Sequence, residues 1–433
     1  MYDSIKLDWE QQLIDQMKDN ADFTITTVSF SGQLMTLYYL KSLVDLSETL
    51  SIMEQNPEES LQAAPFSIEL VTSMLSGEII IRQMDSDKPI SLTPVGSKLS
   101  RPIMPPQNEH PLQVAFDSFT EDLNTNIGLL RKKVKRKDMV VESHTTGTNS
   151  PRDIAFIYVK GEANIKVVEF IKQKLQNNKS NDIKNVADLL KMLEQPQLSL
   201  VPTYLSTEIA EETAQNLLDG KVIIIMDQFP FALAFPAIIK DLWSLKSDLN
   251  YPALVTFFYR FFRIVGILFA IVTPGLYVIL NSVNPELLRI QLAISVAQSR
   301  EGVPYPAIVE VCLMLVLLEM VIEATTRLPK SIGPTITMIG GIILGQAIVQ
   351  AQLVSNLLII ILATSTIANF AIAGYMNTVG IRIFKYFTLL LSTMFGIFGL
   401  EASIIGLCIY LSGLNTTSVP YMSLSVKGQT SYE

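Results

Sequence analysis

The chain has 433 residues, of which 17% are charged, with 33 basic and 41 acidic side chains and a formal net charge of −8. Two cysteines, Cys312 and Cys408, exclude a disulfide framework and a four-cysteine metal site. Only nine basic and seven acidic residues follow residue 250, which leaves 24 basic and 34 acidic residues before it. The first part therefore has an ordinary soluble composition, and the second is nearly stripped of charge, as is typical of helices that span a bilayer.

The N-terminal half is expected to be cytoplasmic and to contain two small α/β subdomains. The first 22 residues have no apolar core flanked by basic residues, so we expect no cleavable signal peptide. Residues 23–30 and 34–40 alternate like strands and a helix follows them, and the same order recurs between 140 and 176. This recurrence is compatible with a duplication or with chance. The predicted boundaries are 1–110 for the first subdomain, 111–137 for a connecting helix, and 138–250 for the second subdomain with a membrane-proximal segment.

The apolar run 222–239 resembles a membrane span in hydropathy only. Asp227, Pro230 and Pro236 argue against one continuous helix, because proline removes a backbone donor and clashes with the preceding turn. We interpret residues 221–226 as a buried strand followed by a loop.

The C-terminal part predicts an all-α polytopic membrane domain over 251–415 with about five transmembrane helices, followed by a polar tail at 416–433. An amphipathic interfacial helix is expected at 285–299. The fold class is thus α+β with a membrane domain. Predicted inner loops are basic, but Arg289 and Arg300 fall in a predicted outer loop against the positive-inside rule, so either that loop lies partly in the bilayer or the number of spans is off by one. The predicted spans are 256–280, 304–325, 332–351, 354–374 and 384–411.

Ionisable and amide side chains inside these spans are the candidate functional residues. Charges in lipid are costly, so they face a bundle interior, a partner or water. Glu319 and Glu323 share a helix face, where they could attract cations in a pore or pair with a basic residue of a neighbouring subunit. For Glu323 the alternative is a local helical ion pair with Arg327. Glu310 could instead meet interfacial water, and Glu401 needs a partner, a proton or water. Gln346 and Gln350 are compatible with helix packing or with pore lining.

Other chemistry is not indicated. The basic run 131–137 lies in an acidic domain without interleaved aromatics, which excludes nucleic acid and favours a solvated helix end, with anionic lipid head groups as the alternative. No phosphate-binding loop, zinc spacing or nucleophile motif occurs, so we expect neither an enzyme nor a cofactor or metal.

Several ordered segments resemble the A-subunit family of spore germinant receptors, the GerA type. The most specific is SREGVPYPAIVE, which includes Arg300, Glu301, Gly302, Pro304 and Pro306. A second, RLPKSIG, includes Arg327, Pro329 and Gly333. Further segments are GQAIVQAQLVS, DGKVIIIMDQFPFAL, FTEDLNTNIGLLRKKV and FIYVKGEAN. The likeness runs in order from about residue 20 to residue 422.

The resemblance implies a multi-pass subunit of a nutrient receptor in the spore inner membrane. It implies as partners a transporter-like B subunit, a lipoprotein C subunit, membrane lipids and further copies of the chain, as a pentamer that opens a gated monovalent-cation channel. A non-conducting scaffold that transmits the signal is the alternative, and a secondary transporter is a third, disfavoured because no inverted repeat is evident. Two departures from the family pattern, residues 113–116 and the apolar Leu315 and Ile322, put standard subdomain contacts and conduction in doubt.

Overall fold

The structure is a computed structural model that describes residues 8–30, 33–55, 70–75, 77–83, 89–92, 94, 117–328, 333–372 and 374–427. The chain forms two compact units. The αβ unit comprises Met1–Gln197, Thr203–Ile238 and Asn415–Glu433, and the helical unit comprises Leu198–Pro202 and Ile239–Leu414. One short segment, 198–202, therefore belongs to the helical unit although both of its chain neighbours belong to the αβ unit.

The first subdomain of the αβ unit is a four-stranded antiparallel sheet in the spatial order β1-β2-β3-β4. Both strands expected at 23–30 and 34–40 are confirmed. The sequence analysis missed the first helix, although Trp9, Leu13 and Met17 repeat at helical spacing and pack against the sheet. The elements are α1 (Asp8–Met17), β1 (Phe23–Phe30), β2 (Gln33–Leu40), α2 (Leu46–Gln55), α3 (Leu70–Leu75), β3 (Ile79–Gln83) and β4 (Ile90–Leu92).

The second subdomain is a five-stranded antiparallel sheet in the order β5-β6-β8-β9-β7, with helices on both faces. Ile223 and Ile225 belong to the core cluster under α4 and α7, whereas Ile224 and Met226 belong to the one under α5 and α6. A strand covered on both faces is apolar at every position, which confirms the buried strand expected at 221–226. The elements are α4 (Leu123–Lys133), β5 (Met139–Thr146), β6 (Arg152–Val159), α5 (Ile165–Asn177), α6 (Val186–Met192), β7 (Leu205–Thr207), α7 (Ala210–Leu218), β8 (Val222–Met226) and β9 (Ala232–Phe235).

The connecting helix α4 begins at Leu123, where the Asp122 side chain caps it by accepting a hydrogen bond from the Thr125 N–H at 2.7 Å. Residues 111–116 of the predicted helix lie outside the described residues. The basic run begins with Arg131, which is fully buried and pairs with Asp22 at 2.9 Å. The expectation of a solvated helix end is therefore wrong for Arg131, because this guanidinium joins the two subdomains.

The segment after the last helix belongs to the core of the αβ unit rather than to a separate polar tail. Strands β10 (Asn415–Thr416) and β11 (Val419–Pro420) form a short hairpin, and the Thr416 hydroxyl donates to the Ala237 carbonyl at 2.9 Å. Val419 and Val426 pack into the α5–α6 core. Residues 428–433 lie outside the described residues.

The helical unit contains one 10-residue helix and six longer helices among its described residues. Two stretches, Ala253–Val283 and Asn377–Phe395, are long and apolar enough to cross a membrane. The helix bounds are α8 (Ala253–Val278, extended by a π turn over Ile279–Val283), α9 (Ile290–Ser299), α10 (Ala307–Arg327), α11 (Gly333–Gln350), α12 (Asn356–Phe370), α13 (Tyr375–Phe395) and α14 (Ile397–Gly413).

The single span expected at 384–411 is wrong, because the chain reverses at Gly396 between α13 and α14. Gly396 has φ of +61°, a backbone conformation that is unfavourable for any residue with a Cβ. The helix therefore ends at this glycine. Leu200 contacts both Gly380 near the start of α13 and Tyr410 near the end of α14, which shows that the two helices are antiparallel. The turn was not predicted because the sequence on both sides of Gly396 is continuously apolar.

The longer helices alternate in direction. Helix α13 runs parallel to α8, since Gly275 contacts Ser392 and Asn284 accepts a hydrogen bond from the Ile397 N–H at 3.3 Å. Helix α12 is antiparallel to α8, because Ser355 binds Tyr277 while Ser365, ten residues later, donates to the Ala270 carbonyl, seven residues earlier in α8. Helix α10 is antiparallel to α8, because Glu310 in its first turn binds Tyr277 near the end of α8, whereas Glu319 lies farther along α10, at Arg382 near the start of α13.

Candidate functional site

The strongest candidate site is a buried polar cluster around Glu310, in the first turn of α10. Glu310 is 0% exposed. Its carboxylate accepts hydrogen bonds from the Ser355 N–H at 2.5 Å and from the Tyr277 hydroxyl at 3.2 Å. The hydroxyls of Tyr277 and Ser355 are 2.9 Å apart, so the two donors also contact each other. The cluster joins α8, α10 and the N-cap of α12.

Arg300 supplies the positive charge of the cluster. Its Nε lies 3.4 Å from Oε2 of Glu310, and its Nη2 donates to the Tyr305 carbonyl at 3.0 Å. Its side chain is 20% exposed, so the guanidinium lies between the buried carboxylate and the surface. Both residues of this pair come from the segment SREGVPYPAIVE, whose loop folds back so that its first and last charges meet.

The loop that carries Arg300 also contacts the turn between α11 and α12. Gly302 has φ of +88°, and a Cβ added there would lie 2.8 Å from the Gln352 side chain. Gln352 itself has φ of +52°, so this turn is tightly constrained. Glu301, Pro304 and Pro306 in the same loop are exposed. The family segment is thus a structural loop that positions one buried ion pair.

A buried carboxylate is tolerated only when donors or a cation compensate its lost hydration. Glu310 has a backbone donor, a phenolic donor and a guanidinium, so the ionised form is satisfied. The expectation that Glu310 meets interfacial water is therefore wrong for the described structure.

A second ion pair links α10 to α13. Glu319 accepts from the Arg382 Nε at 3.1 Å and forms a shorter contact with Nη2 of the same guanidinium. Both side chains are partly exposed, 24% for Glu319 and 17% for Arg382. Glu319 therefore finds its basic partner in the same chain, at the point where the Arg382 turn of α13 passes α10.

The other candidate residues from the sequence do not converge on these two pairs. Glu323 is exposed on α10, Gln346 and Gln350 are exposed on α11, and Glu401 is exposed in the second turn of α14 rather than deep in a span. Gly333 begins α11. The side chain of Arg327 and the whole of Pro329 lie outside the described residues, so the local pair between Glu323 and Arg327 stays a prediction.

The two basic residues near the start of α8, Arg260 and Arg263, are also paired. Asp248 is 2% exposed and binds Arg263 through two hydrogen bonds, at 2.5 Å and 2.9 Å, with Arg260 at 3.7 Å. Arg263 further donates to the Trp243 carbonyl at 3.0 Å. These contacts fix the two short 3-10 segments, Ile239–Leu242 and Lys246–Asn250, against the start of α8.

Sequence reasoning missed Tyr277, Ser355 and Arg382 as members of the polar contacts. Ser355 followed by a long apolar run is an N-cap signal, and this signal could have placed the start of α12 correctly. Arg382 was assigned to a loop, although it lies within α13. Tyr277 carries no sequence signal that separates it from the other aromatics of α8.

The chain combines a unit of two antiparallel sheets with a helical unit in which two helices are long and apolar enough to cross a membrane, which gives it an α+β architecture. The family described as "Bacillus/Clostridium GerA spore germination protein" matches residues 11–431. The chain therefore belongs to the GerA family of spore germination proteins.

Individual relatives of the chain are also spore germination proteins. The chain is 29% identical to spore germination protein GerLA of Bacillus cereus over 82% of its own length and 72% of the relative. It is 35% identical to spore germination protein B1 of Bacillus subtilis (strain 168) over 65% of its length and 58% of the relative. The crystal structure of the N-terminal domain of the A subunit of the Bacillus megaterium spore germinant receptor GerK3 aligns over 54% of this chain and 96% of that chain, with 22% identity and a TM-score of 0.38.

Proposed function

We propose that this chain is the A-type membrane subunit of a nutrient receptor that triggers spore germination. The observation that carries the proposal is the family match over residues 11–431, within which the segment 299–310 builds the buried Arg300–Glu310 pair. A receptor subunit must convert binding at one place into a rearrangement at another, which requires contacts that differ between two states. Its partners would be a transporter-like B subunit and a lipoprotein C subunit.

The receptor subunit would lie in the spore inner membrane with the αβ unit in the cytoplasm. Residues 203–238 and 415–427 both belong to the αβ unit, so the chain must leave and re-enter the same side of a membrane. An even number of crossings fits this arrangement, and the six longer helices of the helical unit support six crossings rather than five. With six crossings Arg289 and Arg300 remain in an outer loop, and there Arg300 is paired with Glu310.

Single-cysteine labelling tests this topology. In a chain with Cys312→Ser and Cys408→Ser, a cysteine placed at Ser423 should be protected from a membrane-impermeant maleimide in intact protoplasts, as should a cysteine at Ser143. A cysteine at Ser282, at the far end of α8, should react. Labelling of Ser423→Cys from outside, with Ser143→Cys still protected, would contradict an even number of crossings.

We further propose that copies of the subunit self-associate, as a pentamer, and open a pathway for monovalent cations. Within one copy Glu310 and Glu319 are both paired with arginines, so neither is available to line a pore without rearrangement. The exposed amides Gln346 and Gln350 on α11 are the side chains that support a pathway between copies. Purified subunit in potassium-loaded liposomes separates this from a scaffold, which would pass no cation in any state.

The receptor assignment itself is tested in spores. Deleting the gene should abolish potassium release in response to one class of nutrient in a panel of amino acids, sugars and nucleosides. Complementation with the intact gene should restore it. An unchanged response to every nutrient, in a strain whose other receptor genes have been removed, would contradict a receptor function.

A further inference from the structure

The segment Leu198–Pro202 lies between α6 and β7 of the αβ unit, yet it is part of the helical unit. Leu200 packs in the apolar cluster formed by Ala270 and Ile271 of α8 with Ile381 and Phe384 of α13. Leu198, two residues before it, is 96% exposed. Leu200 is thus packed among the helices of the unit to which its segment belongs.

Backbone contacts hold this segment more specifically than apolar packing alone. The Leu200 N–H donates to the Tyr410 hydroxyl at 2.8 Å, and the Ser199 hydroxyl lies 3.3 Å from the same oxygen. The Ser199 hydroxyl also donates to the Val201 carbonyl at 2.5 Å, which closes the segment into a tight turn. Tyr410 is near the end of α14, so the segment is fixed to the last turns of that helix.

Gly380 provides the matching surface on α13. A Cβ at this position would overlap the Leu200 carbonyl oxygen, so only glycine allows this approach of the two backbones. Glycine is unfavourable in a helix interior relative to alanine, and at position 380 the close contact with Leu200 requires it. By contrast, a Cβ at Gly406 of α14 would meet no atom within 4 Å.

The docking point is close to the ion pair between α10 and α13. Arg382 follows Gly380 by two residues and binds Glu319. A shift of α13 at Gly380 would therefore move the guanidinium that holds α10. We propose that residues 198–202 are a docking segment that, within the helical unit, holds α13 and α14 together and thereby positions the Glu319–Arg382 pair. The coupling needs no ligand at the segment itself, and its role in signalling rests on the proposed receptor function.

Two variants should release the segment by different means, and a third variant serves as the control. Gly380→Ala introduces the overlapping Cβ, and Tyr410→Phe removes the hydroxyl that accepts the Leu200 N–H. Gly406→Ala makes the same chemical change as Gly380→Ala on an open helix face. Hydrogen exchange of the full-length chain in detergent micelles should accelerate at least tenfold at Leu200 in both variants and remain unchanged in Gly406→Ala.

The same hydrogen-exchange experiment also measures whether release of the segment affects α13. Amides of residues 377–390 should exchange several-fold faster when the segment is released, although Tyr410→Phe changes no residue of α13. Faster exchange at Leu200 with unchanged α13 would overturn the coupling, and unchanged exchange at Leu200 would overturn the docking. In spores, both variants should slow nutrient-triggered potassium release at equal subunit abundance, and a normal rate would overturn the role in signalling. Failure of the receptor function has a different signature, because the gene deletion itself would then leave every response intact.

Discussion

The two units each contain an arginine–carboxylate pair that joins separate parts of the chain, and the two pairs differ in how fully they are satisfied. In the αβ unit, Arg131 donates from Nε and Nη2 to Asp22, from Nη2 to Asn20 at 2.7 Å and from Nη1 to the Met139 carbonyl at 3.1 Å. In the helical unit, Arg300 lies 3.4 Å from Glu310 and its side chain is partly exposed.

This difference separates a fixed joint from one that can rearrange. A guanidinium with four of its five N–H donors used and no exposed area is held in one arrangement, and leaving it is costly because no water replaces the lost bonds. Arg300 has a longer contact and access to the surface, so it can exchange Glu310 for water at a smaller cost. We infer that the two subdomains of the αβ unit move together, whereas the loop 300–306 is the place where the helical unit can change state.

The largest effect is expected from Arg131→Met, which leaves Asp22 buried without its cation. The free energy of unfolding of the αβ unit should fall by about 3–5 kcal/mol. Urea unfolding followed by the fluorescence of Trp9, in a chain with Trp243→Phe, measures this for the first subdomain. The matched control is Lys132→Met, which changes an exposed neighbour and should lie within about 0.5 kcal/mol of the parent. Equal effects of the two substitutions would contradict a fixed joint.

A smaller effect is expected from Glu310→Gln, which removes the charge but keeps the shape. The amide still accepts one hydrogen bond, so the local opening free energy at Ser355 should fall by about 1–3 kcal/mol. Hydrogen exchange of the peptide that contains the N-terminal turn of α12 measures it. Glu301→Gln removes an exposed charge from the same loop and should leave the exchange unchanged. If the Arg300–Glu310 pair were as rigid as the Arg131–Asp22 pair, Glu310→Gln would instead lower the free energy by as much as Arg131→Met does.

The smallest effect concerns Glu142 of β5, which tests how the αβ unit responds to acid. Burial raises the pKa of this carboxyl, but hydrogen bonds from His144 and Lys172 lower it more, to about 2. Because the folded-state pKa lies below the ordinary value of 4.5 for a glutamate, the stabilising contribution of Glu142 is complete above about pH 4.5 and is lost as the pH falls towards 2.

Glu142→Gln should therefore lower the unfolding free energy by about 1–2 kcal/mol at pH 7, and the gap to the parent should shrink below about pH 4.5. Urea unfolding between pH 3 and pH 7 measures the gap. Glu169→Gln is the control, since Glu169 is exposed on the neighbouring helix α5. A gap that grew on acidification would mean that Glu142 is stabilised in its protonated form.

The αβ unit was largely predictable because its signals are local. The alternation in 23–30 and 34–40, the continuous apolar run 222–226 and the spacing in 165–175 each reflect one element and its burial. The role of Arg131 was not predictable, because its partners Asn20 and Asp22 are more than 100 residues away in sequence. A basic run gives no indication that one of its members is buried.

The helical unit was less predictable because apolar composition hides where a chain turns. Residues 384–411 contain no proline or charge cluster at the reversal, and the φ of Gly396 is a property of the fold. The pairs Arg300–Glu310 and Glu319–Arg382 depend on which helices are neighbours, and this information is absent from the hydropathy pattern. The family segment 299–310 indicated the right place, although only the structure shows that its charges meet.

The central claim is that this chain is a receptor subunit whose Arg300–Glu310 pair takes part in the response. The most direct test is potassium release from spores that lack the gene and are complemented with the parent chain, Glu310→Gln or Glu301→Gln at equal abundance. The account predicts that the parent and Glu301→Gln restore the response to one nutrient class, whereas Glu310→Gln changes its rate or its nutrient threshold. Identical release from all three complemented strains, or a full response without the gene in a strain whose other receptor genes have been removed, would contradict it.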